Sequence, residues 1–166
     1  MVDSLSFTHL GGELHLSNLG QLELLRATVE AGIPLRTRVR GFSMSPFIRD
    51  DDVLTIVPMN SCAPRSGEVV ASTLPDSGRL AIHRVIVRMG TGWLVGGDNC
   101  PQADGVILRE NMIGRVVRVE RQGHEVRLGL GAEARLIAWL QCAHVLMPAV
   151  YLVWRVRRIL KPCSSR

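Results

Sequence analysis

The fold class this chain of 166 residues predicts is mainly β, a compact antiparallel barrel or coiled sheet. Three observations lead there. Between residues 35 and 128 the apolar positions fall in short runs divided by glycine-bearing turns, enough for five to eight strands. Residues 35–40, Leu-Arg-Thr-Arg-Val-Arg, alternate cleanly, which is the period of a half-buried strand with an arginine-bearing face. Gly90-Thr91-Gly92 and Gln122-Gly123-His124 stand where consecutive runs must fold back, with glycine supplying positive φ.

In chain order, residues 1–34 form an N-terminal segment with an irregular start and one amphipathic helix. Leu19, Leu22, Leu25 and Val29 carry its period from Asn18 to about Ala31. Asn18 and Gln21 suit a capping pair, and Gly32-Ile33-Pro34 stops the helix. Residues 35–130 form the β domain, with strands expected at 35–40, 53–57, 68–72, 80–88, 93–95, 112–121 and 125–128. Residues 131–166 hold a C-terminal apolar helix and a basic tail.

That apolar run, 136–154, has 19 residues without a formal charge. As one helix it spans about 28 Å at 1.5 Å per residue, close to a bilayer core of about 30 Å. Trp139, Tyr151 and Trp154 stand near its ends and the basic cluster follows, as at a membrane boundary. The expectation is therefore membrane association through 136–154, with the rest of the chain cytoplasmic. Gln141, His144 and Pro148 share one helical face, which suits a helix lying on a surface or packed on its own domain or a partner. No Lys or Arg precedes Arg26, unlike a secretory signal.

The formal charge of +5 is local. Arg155, Arg157, Arg158, Lys161 and Arg166 fall in the last twelve residues, and the other 154 carry 15 basic and 15 acidic side chains. A neutral body without an aromatic-interleaved basic strand argues against a nucleic-acid partner. The four cysteines are scattered, with no CxxC and no zinc-ligand spacing, so no metal, cofactor or disulfide framework is expected.

The chemistry-bearing residues are Ser43, in Gly41-Phe42-Ser43-Met44-Ser45-Pro46; His83, in Ile82-His83-Arg84-Val85; and two acids, Asp98 in Gly97-Asp98-Asn99 and Asp104 six residues later. A serine at a strand end behind a glycine can present its oxygen while its own N–H faces a developing oxyanion. A histidine can take its proton, and an acid can fix the imidazole tautomer. Each residue alone has a plainer reading: a turn serine, a hydrogen-bonded strand histidine, turn-building acids.

Together these boxes resemble the signal peptidase I and LexA-like serine peptidases. Residues 43–48 followed by Asp51-Asp52-Val53 resemble the box around the family's nucleophile, with Asp51 where the family has glycine. Gly67-Glu68-Val69-Val70 resembles the next box, with Glu68 for the usual aspartate. Ile82-His83-Arg84-Val85, Gly97-Asp98-Asn99 and Ile113-Gly114-Arg115-Val116 resemble the later ones, so the likeness covers residues 35–120 in order. The only lysine is Lys161, in the tail. With His83 standing where that family's lysine base belongs, the chain is similar to the Ser–His branch of endoplasmic-reticulum type. The resemblance implies a peptidase of that fold cleaving leader or signal-type precursors, with Ser43 as nucleophile, His83 as base and Asp104 as orienter, Asp98 being the second candidate or a support for the loop. It further implies an extended precursor peptide as substrate, with small residues beside the cut. The competing expectation is a binding or regulatory module without catalysis on the same fold.

Overall fold

The computed structural model describes residues 18–59, 62–143, 145, 146, 148 and 152. Helix α1 covers Asn18–Glu30. Strands follow as β1 Leu35–Arg38, β2 Val53–Pro58, β3 Val69–Thr73, β4 Leu80–Met89, β5 Gly92–Gly96, β6 Gly105–Ile107, β7 Met112–Arg121 and β8 His124–Glu125, and helix α2 covers Ala134–Cys142. The irregular start expected at 1–14 and the basic tail lie outside the described residues.

All pairings are antiparallel, in the order β1-β2-β7-β3-β4-β5-β6, with β8 on β7. The expected barrel is not closed: β1 and β6 are the two ends of the sheet. Among the described residues four-residue β1 pairs only with β2, and three-residue β6 only with β5. The sheet curls, so that β1 and the start of β4 line the same groove. Four antiparallel steps separate these two strands, so they run in the same direction.

Period-two alternation divides the apolar residues between two cores. Val69 and Ala71 of β3 join Leu54, Ile56, Val116 and Val119 inside the curl, with Leu25 of α1 closing it. Val70, between them, points the other way and packs with Val85, Trp93, Val95, Ile107 and Met112. Fully burying a Leu or Ile side chain of this kind stabilises by about 1.5–3 kcal/mol.

Asp51 takes φ 72, the left-handed conformation that glycine adopts freely and that aspartate tolerates better than most residues. Arg38 and Arg40 hold its carboxylate at 2.8 and 3.0 Å. The aspartate thus keeps the turn a glycine would make.

Beside it, buried Asp52 accepts two hydrogen bonds from Arg121, at 2.8 and 2.7 Å, and one from the Arg49 N–H at 2.8 Å. Burial works to raise this carboxyl, but the Arg121 and Arg49 bonds and charges bring it below the ordinary range. A carboxyl lowered on folding stabilises fully above its unfolded value, about 3.9, and that contribution is lost as pH falls through the lower folded value. Thermal melts should therefore show Asp52→Asn less stable than the parent at pH 7, with the gap narrowing below about pH 4.

The C-terminal expectation needs correction. Among the described residues no helix is long and apolar enough to cross a membrane. The run begun by α2 breaks at Ala143, where ψ is 1, and the Val145 N–H closes back on the Leu140 carbonyl. Ala134, Ile137 and Ala138 of α2 are buried, and the helix packs on β4. The described start of that run, α2, is docked on its own domain. His144, Tyr151 and Trp154 of the 136–154 run lie outside the described residues.

Candidate active site

Ser43 sits on a tight turn just past β1, fixed from several sides. Gly41, at φ 109, donates its N–H to Asp50 at 2.8 Å. Met44 and Ile48 are buried in the first core, and the Ile48 and Phe47 N–H groups return to the Met44 carbonyl. The Ser43 carbonyl accepts the Asn99 N–H at 2.7 Å, and the Asn99 side chain reaches the Phe42 carbonyl at 3.1 Å. The turn is thereby tied to the loop that follows β5.

His83 comes from β4, opposite Val70 of β3, and is 8% exposed. Its Nε2 lies 2.9 Å from the Ser43 Oγ, and its Nδ1 is hydrogen-bonded to the Asp104 carboxylate. Asp104 is held by its own N–H on the Val95 carbonyl at 2.9 Å, just before β6 begins at Gly105 with φ 108. The three side chains form one chain of contacts, Ser43–His83–Asp104. Hydrogen-bonded in this way, the imidazole is the tautomer with its proton on Nδ1 and a lone pair on Nε2 facing the serine.

Asp98 is elsewhere. Its carboxylate pairs with Arg84 through two bonds of 2.7 Å, and both side chains are completely buried. Burial pushes the Asp98 carboxyl up, against the pull of the Arg84 bonds and charge. Arg84 also donates to the Gly67 and Gly129 carbonyls, each at 2.8 Å, and its guanidinium lies 5.6 Å from the centre of the Phe47 ring. One arginine next in sequence to His83 thus pins β4 to the acid loop, to the turn before β3 and to the segment leading into α2.

The sequence brought out Ser43, His83, Asp104 and Asp98 as site residues but gave Arg84, Gly97 and Gln141 no role of their own in the site. An arginine inside a run as apolar as Ile82-His83-Arg84-Val85-Ile86 was the available signal, because a charge in a buried strand requires a partner. A Cβ on Gly97 would lie 2.6 Å from the Ser43 carbonyl oxygen and 3.2 Å from His83 Nε2, so only glycine fits against the turn. Cys100 packs beside it. Burial first, then the charges of Asp104 and Asp98, raise its thiol, which suppresses the thiolate form a nucleophile would need.

A groove of about 550 Å³ opens at Ser43 and His83. Thr37 to Gly41 line one side, Leu80 to Ile82 the other, and Leu25, Leu54 and Ile56 the floor. Among the described residues no cluster of His, Cys, Asp and Glu has the arrangement of a metal site. No protein-family model matches this chain, and no curated protein matches it.

Proposed function

We propose that this chain is a serine endopeptidase of the signal peptidase and LexA-like kind, in the Ser–His branch, acting on extended precursor peptides. The observation that carries the reading is the contact chain Ser43–His83–Asp104 at the mouth of a peptide-sized groove.

In the cycle, His83 Nε2 takes the Ser43 proton as Oγ attacks a peptide carbonyl. Asp104 holds the ring and stabilises the imidazolium. The backbone N–H groups of Ser43 and Met44 donate to no partner among the described residues, so they are candidates for stabilising the oxyanion. His83 then passes its proton to the leaving amine, and a water deprotonated by the same ring hydrolyses the acyl-enzyme.

The groove supplies the substrate argument. Among the described residues no strand pairs with the edge of β1 away from β2, and residues 80–83 of β4 pair with β3 but not with β5, whose register begins at Arg84. An extended peptide lying between these stretches can hydrogen-bond to the main chain on either side, which gives affinity with little demand on its sequence. The departures from the family pattern are accommodated. Asp51 keeps the glycine-like turn, and Glu68 bonds Arg115 at 3.0 Å and the Arg65 N–H at 3.0 Å.

Mass-spectrometric profiling of a diverse peptide library tests this. Cuts made by the parent chain and absent with Ser43→Ala and His83→Ala are expected. Cuts that persist in Ser43→Ala would remove Ser43 as nucleophile, and silence from a folded parent chain would favour a peptide-binding module.

A further inference from the structure

We propose that Gln141 is a positioning residue for the Ser43–His83–Asp104 chain, which makes helix α2 a working part of the site; the inference rests on the peptidase reading. The Gln141 Nε2 donates to the Gly97 carbonyl at 2.8 Å, across 44 residues of sequence. Gly97 occupies the tightest point of the site, against the Ser43 carbonyl and His83 Nε2. Two residues on, Asn99 donates its N–H to the Ser43 carbonyl. The one side chain on α2 that grips the acid loop therefore does so where that loop touches both nucleophile and base.

The other half of the same amide is unusual. Gln141 Oε1 is buried and has no hydrogen-bond partner among the described residues. A buried acceptor left unpaired is destabilising, and a leucine of similar size would avoid that cost. A glutamine is explained here by what its Nε2 does for Gly97. The helix that carries it is well seated. Ile137 and Ala138 are buried, and at its start Gly67 approaches so closely that a Cβ there would lie 2.6 Å from the Ala134 backbone. That anchoring lets the side chain act as a fixed stop on the loop. Without it the Gly97 carbonyl keeps the Cys100 N–H at 3.0 Å but loses its bond to α2, so the Gly97 peptide can shift against Ser43 and His83 while Asn99 and the Asp98–Arg84 pair still hold the rest of the loop.

The test compares the parent with Gln141→Leu, with Leu136→Ala on the exposed side of α2 as control. Three readouts are needed: melting temperature, kcat and KM on a peptide cut by the parent, and the low-field NMR resonance of the His83 Nδ1 proton. Gln141→Leu is expected to melt near the parent, to lose about 10- to 100-fold in kcat with KM within about twofold, and to shift that resonance. Leu136→Ala should change none of the three. A variant with parental kcat and an unmoved resonance overturns the proposal, as does a loss of activity that only follows a lowered melting temperature. If the parent cleaves nothing and a fluorophosphonate does not label Ser43, the peptidase reading fails on its own account. The resonance then still decides whether Gln141 sets the His83–Asp104 geometry.

Discussion

Asp104→Asn should lower kcat by about 10⁴-fold while the protein stays folded, because asparagine can present its amide to His83 and favour the wrong tautomer. Asp104 is partly exposed and its one side-chain hydrogen bond among the described residues goes to His83, so little of the fold depends on its charge. The measurement is kcat on a cleaved peptide beside a thermal melt of the same sample. A variant that keeps more than about a tenth of the parent turnover would show that the carboxylate does not orient the base.

Asp98→Ala should do the opposite, costing about 3–5 kcal/mol of stability by leaving Arg84 buried without its counter-charge. Both side chains of that pair are completely buried, so no water is at hand to solvate the survivor. Urea unfolding of Asp98→Ala, Arg84→Met and the double variant measures this. Each single change should be severe, and the double change should recover much of the loss, since a buried pair replaced by apolar side chains is often near neutral. Equal and additive losses would mean that the two residues act separately. The two acids of the loop would then be told apart by what each loses: turnover for Asp104, stability for Asp98.

How much of this was legible in the sequence follows from which forces are local. Alternation and turn chemistry located β1 to β5 and β7 to within a few residues, and the run 112–121 coincides with β7. β6 went unread because Gly105-Val106-Ile107 is too short to show a period and exists only as an edge on β5. The association of Ser43 with His83 rested on resemblance, since nothing in a spacing of forty residues brings two side chains together. Asp98 was legible as a second acid or a support for the loop, but its partner was not, because Arg84 is buried by three separate segments. The apolar C-terminal run misled for a related reason. Length and hydropathy cannot say whether a helix buries its face in lipid or on its own sheet. Gln141, which counted against a simple span, is the residue that reaches the Gly97 carbonyl.

The edge of β1 on which no strand sits among the described residues has a second consequence, for how two molecules would meet. An open strand edge beside an apolar floor would pair with the same edge of another molecule as readily as with a substrate. Here that strand presents Arg36 and Arg38, with Arg40 just beyond, all exposed, Arg36 paired with Glu120 and the other two with Asp51. Two such strands brought edge to edge would set arginines against arginines and strip water from their ion pairs. A single peptide chain without that charge pattern meets neither obstacle. The alternation that marked this strand in the sequence thus also sets like charges against one another wherever two such edges meet.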